Sequence, residues 1–201
     1  MKGLLQRVLR WSVICILTVP AIASGPEDLD ALMALLAGVH SVRASYVETT
    51  HLSILEQQLT TRGTISYEAP DRITKQTELE PKQTVRFAGD ELQVSSGDRV
   101  HRLAVADHPA LEAFVVGLRA TFAGDLGKLR EFFHVRYRSV GDGWGLSLSP
   151  RDRALQNFFS EIEIRGRGRL VHAVDVRESN GDLRAMRLRV LEIQPTAGSE
   201  P

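Results

Sequence analysis

The hydrophobic positions near the start of the chain follow the period of an α-helix. Apolar side chains recur every three to four residues between 29 and 39, which is the spacing of an amphipathic helix. The stripe consists of Leu29, Leu32, Met33, Leu35, Leu36 and Val39. Pro26 stands near the first helical position, and Glu27 and Asp28 follow where the helix dipole favours acids. The pattern predicts a helix from Pro26 to about Gly38–Ser41 that packs its apolar face on another element.

Most of the remaining chain has the composition of β-strands, with β-branched residues and alternating polarity. About eleven strands are predicted, at 42–54, 59–68, 71–79, 82–88, 91–96, 99–105, 134–140, 144–149, 160–166, 169–178 and 183–193. Glycine-centred turns separate many of them. Asn180-Gly181 is the strongest of these turns, because a type I′ hairpin needs positive φ at both central residues. Consecutive hairpins make an antiparallel sheet.

Two further helices are predicted in mid-chain. Asp107 is a candidate N-cap, His108-Pro109 begins the first helix, and Gly124-Asp125 begins the second. Their apolar faces are Leu111, Phe114, Val115, Leu118 and Phe122, and then Leu126, Leu129, Phe132 and Phe133. Such faces need an apolar surface to cover. We therefore predict an α+β fold, a strongly curved antiparallel sheet (an incomplete β-barrel of about 11 strands) with helices covering its concave apolar face.

The N-terminus has the pattern of a secretory signal peptide. A basic segment precedes a short apolar run, 11–19, and small residues follow at Ala21 and Ala23. The apolar run is about half the roughly 20 residues needed to span a bilayer. We predict that residues 1–23 are removed by cleavage near Ala23, so that the mature protein works outside the cytoplasm. The mature chain then comprises one domain, 24–194, and a polar C-terminal tail, 195–201.

Removal of the signal changes the composition in two ways. The single cysteine, Cys15, leaves with it, which excludes a disulfide framework, a thiolate zinc site and a cysteine nucleophile from the mature chain. Three basic residues also leave, so an evenly charged precursor becomes a mature chain with three more acidic than basic residues. Such a balance does not favour nucleic acid as a partner.

Catalytic and metal-binding motifs are missing from the sequence. The six histidines are scattered without the spacing of metal ligands, and no serine stands in a GxSxG elbow. The stretch 124–128 lacks both the first glycine and the final Ser or Thr of a phosphate loop. We therefore expect no enzyme activity and no cofactor. Arg165, Arg167 and Arg169 surround a glycine turn and have two interpretations, solvated hairpin residues or a contact for lipid headgroups or an acidic partner.

Several short motifs, in order, resemble the LolA outer-membrane lipoprotein carriers. The matching segments are 41–48 after the first helix, 63–70, 144–150, 162–164 and the turn 180–182. The family usually has Ala-x-Phe-x-Gln where this chain has Ala44, Tyr46 and Glu48. The resemblance covers nearly the whole mature chain and implies a periplasmic protein of the predicted fold.

One departure from the family pattern bears on function. The lipoprotein carriers have an arginine before the strand-ending proline, where it helps to gate or contact the bound lipoprotein. This chain has Ala69 there, and Arg72 stands two residues beyond Pro70. The segment 67–72 looks more like a divergent LolA-related branch that accompanies aryl-polyene or xanthomonadin-type pigment synthesis. That resemblance implies an acylated or polyene cargo rather than lipoproteins in general.

The resemblance implies a monomeric carrier that takes an acylated protein, lipid or polyene from an inner-membrane donor to an outer-membrane acceptor, without a cofactor or nucleic acid. From the residue pattern, the candidate cavity-lining residues are Tyr46, Ile65, Tyr67, Phe87, Leu118, Phe122 and Phe133. The alternative is a periplasmic lipid-binding sensor or adaptor of the same fold that acts on a membrane partner. A periplasmic hydrolase is the third hypothesis, and no nucleophile motif supports it.

Overall fold

The computed structural model describes residues 25–54, 58–78 and 82–196. The predicted signal peptide, and the predicted tail beyond Thr196, lie outside these residues. None of the helices in the described part of the chain is long and apolar enough to cross a membrane.

A single antiparallel sheet of eleven strands forms the frame of the described structure. The strands are β1 (Val39–His51), β2 (Gln58–Glu68), β3 (Arg72–Thr77), β4 (Gln83–Ala88), β5 (Glu91–Ser96), β6 (Arg99–Ala104), β7 (Phe133–Val140), β8 (Gly143–Pro150), β9 (Phe159–Arg167), β10 (Leu170–Glu178) and β11 (Leu183–Pro195). Their order is β6-β5-β4-β3-β2-β1-β11-β10-β9-β8-β7. The strands β6 and β7 lie at the two edges of the curved sheet, so the sheet does not close into a barrel. The predicted α+β fold with an incomplete barrel is confirmed.

The two longest strands, β1 and β11, pair with each other and join the halves of the sheet. Their register runs from Val39 opposite Pro195 to His51 opposite Leu183. It shifts between Val39 and Ser41 and again between Arg43 and Ala44, and such irregularities bend a strand. The N-terminal half of the sheet is therefore β1–β6, and the C-terminal half is β7–β11.

Four α-helices occupy the described chain: α1 (Leu29–Ala37), α2 (Pro109–Ala123), α3 (Leu126–Phe132) and α4 (Arg153–Gln156). The predicted start of α1 at Pro26 is wrong. Asp28 is the N-cap, because its carboxylate accepts a hydrogen bond from the backbone N–H of Ala31 at 2.8 Å. The helix thus begins one residue after the acids, and Val39 already belongs to β1.

The predicted capping of α2 by Asp107 is also wrong. Asp107 ends a single 3₁₀ turn (Val105–Asp107), and His108 occupies the N-cap position without a side-chain capping bond. Pro109 is the first helical residue, as its fixed φ and missing N–H favour. The predicted start of α3 is confirmed, because Asp125 accepts a hydrogen bond from the backbone N–H of Lys128 at 2.8 Å.

The core consists of two apolar clusters on the concave face of the sheet. The first lies on the C-terminal half under α1 and α3, and its larger members are Leu32, Leu36, Leu129, Phe133, Trp144, Leu146, Leu148, Ile162 and Ile164. The second lies on the N-terminal half under α2, and its buried members are Tyr67, Ile73, Phe87, Leu92, Val105 and Val115. Phe122 packs against both clusters. Helix α2 therefore spans the concave face from one half of the sheet to the other.

Each half of the sheet contains an aromatic ring that covers a glycine on the neighbouring strand. Tyr46 is the register partner of Gly63, and a Cβ at Gly63 would lie 3.0 Å from the tyrosine ring. Trp144 is the register partner of Gly166, where a Cβ would overlap the indole. The missing side chain lets each ring lie flat against the neighbouring backbone, which compensates for the weak packing of glycine in a strand.

Candidate ligand-binding site

Helix α2 closes the concave face of the N-terminal half of the sheet. The ring of Phe122 stacks on that of Tyr67, with centroids 4.8 Å apart and planes inclined by 23°. At the same end of the sheet the guanidinium of Arg119 donates a hydrogen bond to the carbonyl of Gly89, in the turn between β4 and β5, at 2.5 Å. An aromatic stack and a hydrogen bond thus hold α2 against the sheet.

Five of the seven predicted lining residues meet in the cluster under α2. They are Ile65, Tyr67 and Phe87 from the sheet, and Leu118 and Phe122 from the helix. Phe133 lies instead in the other cluster, fully buried, with its ring 6.4 Å from that of Phe159. Tyr46 lies outside both clusters, although it is buried. The structure therefore brings together most, but not all, of the predicted set.

Tyr46 belongs to a polar end of the concave face. Its hydroxyl lies 2.9 Å from that of Thr77, and the ammonium of Lys75 sits over its ring at 4.8 Å from the centroid. Lys75 also forms an ion pair with Glu48 at 2.8 Å. A charged pair is costly to separate or to bury beside an apolar guest. The polar group therefore bounds the apolar interior at this end.

The two inward-facing tyrosines should titrate late. Burial raises the pKa of both Tyr46 and Tyr67 above the ordinary phenol value of 10.0, and the charge of Glu48 adds to the rise at Tyr46. Below pH 10 the phenols are protonated in the folded and unfolded chains alike. As the pH rises further, the unfolded chain releases these protons first, so the folded state loses stability.

Phenolate absorbance measured against pH checks this expectation. Tyr46 and Tyr67 should ionise above the usual value, and Tyr46→Phe and Tyr67→Phe should each remove one late component. A titration without two late components would contradict it.

An exposed apolar groove lies at the N-terminal end of α2. It has a volume of about 340 Å³ and is lined by Leu103, His108, Pro109, Leu111 and Phe158. Leu103 and Phe158 are 41% and 58% exposed, although both are large apolar side chains. Leu111 lines the groove and also packs against the cluster under α2. Leu111 therefore lies between the groove and the apolar interior.

Sequence reasoning missed this groove. Leu103 lies on the edge strand β6, whereas Phe158 directly precedes β9 in the other half of the sheet. Only the curvature of the sheet and the position of α2 bring them together. In the sequence, the feature that could have indicated the groove is a large apolar residue in a turn, Phe158.

Three of the arginines that the sequence singled out form ion pairs with nearby carboxylates. Arg72 pairs with Glu68 at 2.7 Å on the outer face of the sheet. In the predicted basic tip, Arg165 pairs with Asp175 at 2.5 Å and Arg167 pairs with Asp142. These pairs favour the interpretation of the tip as solvated hairpin residues.

Within the described residues, no group of three or more His, Cys, Asp or Glu side chains is placed to hold a metal ion.

The sequence of this chain matches a known family model over residues 21–193, with the description outer membrane lipoprotein carrier protein LolA-like. The chain belongs to this LolA-like family. The match covers most of the sequence and includes every element described above from α1 to β10. The family's description is that of a carrier, not of an enzyme. No curated protein matches the sequence.

Several solved structures are similar to this LolA-like chain at low sequence identity. The LolA superfamily protein NE2245 from Nitrosomonas europaea is 11% identical, with a TM-score of 0.44, and the match covers 89% of this chain and 96% of that one. The lipoprotein LppX from Mycobacterium tuberculosis is 10% identical, with a TM-score of 0.43 and coverages of 80% and 93%. A match to the Pseudomonas aeruginosa MucA/MucB complex is 15% identical, with a TM-score of 0.43 and coverages of 83% and 58%. These likenesses concern the fold alone.

Proposed function

We propose that this LolA-like protein is a periplasmic carrier that holds the acyl or polyene chain of a hydrophobic cargo beneath α2 and moves it from an inner-membrane donor to an outer-membrane acceptor. One observation carries the proposal. An exposed apolar groove at the start of α2 shares the residue Leu111 with the apolar cluster that α2 covers. Residues 24–194 form the carrier domain, and residues 1–23 direct its export.

The energetic need for such a carrier follows from the chemistry of the cargo. Each exposed CH₂ group costs about 0.8 kcal/mol in water, so a chain of about 16 carbons faces a cost on the order of 12 kcal/mol. Apolar side chains that surround the chain remove most of this cost. Covalent chemistry is not required, which accords with a family of carriers.

Loading begins at the groove. Its volume lies near the lower end of the range of about 300–1,000 Å³ that is typical of small-molecule sites, so it accepts one end of a chain without rearrangement. Deeper insertion separates Phe122 from Tyr67 and moves α2 outward. The guest then replaces contacts that the helix made with the sheet. When the cargo leaves, α2 packs on the sheet again and regains those contacts. The free energy of these contacts favours release of the cargo to an acceptor.

A fluorescent polyene fatty acid tests the proposal directly, because its emission rises when it leaves water. Titrated into purified residues 24–201, it should show a saturable increase in emission. Leu103→Asp and Phe158→Asp should each weaken binding by roughly tenfold, since a carboxylate replaces apolar surface at the entrance. Both positions are exposed, so the fold should be retained.

Val100→Asp is the matched control. Val100 lies on the same edge strand as Leu103, is 50% exposed and points to the opposite face. It should bind the probe as the wild type does. Absence of saturable binding would overturn the carrier proposal, and equal effects at Val100 and Leu103 would overturn the groove as the entrance.

A further inference from the structure

A second cavity lies on the outer face of the sheet, on the side opposite the apolar interior. It has a volume of about 570 Å³ and is formed by β1–β4. Its lining is polar and basic, and consists of Arg43, Thr64, Ser66, Glu68, Arg72, Thr74, Gln76, Arg86 and Ala88. None of these residues belongs to either apolar cluster. The cavity, called here the outer-face pocket, is therefore separate from the proposed cargo site.

One cross-strand row forms the centre of the outer-face pocket. Arg43 pairs in register with Ser66, Ser66 with Thr74, and Thr74 with Arg86. The row thus places two hydroxyls between two arginines, and it continues to Glu192 beside Arg43 and to Gln93 beside Arg86. Because neighbouring strands lie about 4.8 Å apart, the two arginine backbones are separated by about 14 Å. Two long side chains can then close from both sides on a group that rests on the hydroxyls.

The lining of the outer-face pocket contains three arginines and one carboxylate, that of Glu68. Arg72 is paired with Glu68, but neither Arg43 nor Arg86 makes an ion pair within the described residues. Seven arginines elsewhere on the sheet pair with carboxylates, namely Arg136, Arg138, Arg165, Arg167, Arg177, Arg184 and Arg187. The hydroxyls of Ser66 and Thr74 likewise have no hydrogen-bond partner in the described structure. Two cations and two donors therefore converge on one space.

We propose that the outer-face pocket binds a phosphate-type oxyanion between Arg43 and Arg86. The planar guanidinium matches phosphate oxygens with two parallel N–H donors, and the hydroxyls of Ser66 and Thr74 satisfy the remaining oxygens. The same chemistry is offered by the headgroup of an anionic phospholipid and by free phosphate or pyrophosphate. The site is independent of the cargo site, because it lies on the other face of the sheet.

The first test is calorimetric titration of residues 24–201 with inorganic phosphate and with pyrophosphate at low ionic strength. The second is co-sedimentation with phosphatidylglycerol vesicles and with phosphatidylcholine vesicles. Saturable binding of the free anions identifies a soluble ligand. Sedimentation with phosphatidylglycerol alone, without binding of free anions, identifies a lipid headgroup. Either result supports the proposal only when it depends on Arg43 and Arg86.

The double variant Arg43→Gln/Arg86→Gln should weaken the observed binding by about tenfold or more, because charge-assisted bonds are lost. Arg62→Gln is the matched control, since Arg62 is an exposed residue of β2 that does not line the pocket. Glu68→Gln should strengthen binding, because it releases Arg72 from its ion pair. Circular dichroism confirms that each variant folds.

Two results would overturn the proposal. One is the absence of binding to every probe. The other is an equal response of the Arg62 variant and the double variant, which would indicate general attraction between charges rather than a site. Because the double variant leaves the concave face unchanged, it should bind the polyene fatty acid as the wild type does, which separates this proposal from the carrier function.

Discussion

Replacing Phe122 with aspartate is expected to abolish loading of the polyene fatty acid. The Phe122 ring lies between α2 and Tyr67, at the point where the two apolar clusters meet. Phe122 is partly buried, and a carboxylate there would place a charge against the inserted apolar chain, which is costly when the charge is unpaired. The probe's emission in a titration measures the effect, and the loss should exceed that of any substitution at the groove.

Phe122→Ala distinguishes a loss of binding from a loss of folding. It should lower the free energy of unfolding by about 3 kcal/mol, because it leaves a space under the helix. It should nevertheless load the probe at least as well as the wild type, since the guest fills that space. A folded Phe122→Asp protein that still loads normally would contradict the proposed position of the cargo.

Replacing Trp144 with alanine should give the largest loss of stability, about 3–5 kcal/mol in the free energy of unfolding. The indole is 1% exposed, packs on Gly166 and donates a hydrogen bond from Nε1 to the carbonyl of Gly168 at 2.8 Å. Its removal leaves a cavity, exposes the strand backbone at Gly166 and leaves the carbonyl of Gly168 without its hydrogen-bond donor. Urea unfolding followed by circular dichroism measures the change.

Trp144→Phe separates the contributions of the ring and the hydrogen bond. It keeps an aromatic cover over Gly166 but removes the donor to Gly168, so it should cost about 1 kcal/mol for the bond and a further amount for the smaller ring. Its stability should therefore lie between those of the wild type and Trp144→Ala. A loss below about 1 kcal/mol in the alanine variant would show that the ring does not support the sheet.

The strands were predictable because their evidence is local. All eleven occur within a few residues of their predicted limits. The last hairpin turns in the predicted place but not as a type I′ turn with Asn180 and Gly181 at its centre. The N–H of Gly181 donates a hydrogen bond to the carbonyl of Glu178, so Ser179 and Asn180 are the central residues, and Gly181 follows them with a φ of 92°. Short segments of alternating polarity that are separated by glycine turns favour β-hairpins over other structures. The helix ends were less predictable, since Asp28 and Asp107 were equally plausible caps by residue type. Only Asp28 accepts a backbone bond.

The candidate site was only partly predictable. Ile65, Tyr67 and Phe87 share the concave face because side chains alternate along a strand, and that follows from the pattern. Tyr46 has the same alternation, but its neighbours Lys75 and Thr77 on β3 make its surroundings polar. Phe133 is an inward-facing aromatic residue like the others, but it lies in the other cluster. Which cluster an inward residue joins depends on the helix above it, and that is not a local property.

The sequence by itself determined the eleven strands, the antiparallel order of their hairpins and the presence of helices with one apolar face, because these depend on residue periodicity and turn chemistry. The tertiary structure decided where the sheet halves meet and which face of α2 covers which cluster. It also decided that Leu103 approaches Phe158 and that Arg43 and Arg86 flank one pocket. These contacts join residues far apart in the chain, and strand register and sheet curvature, not local preference, set their distance.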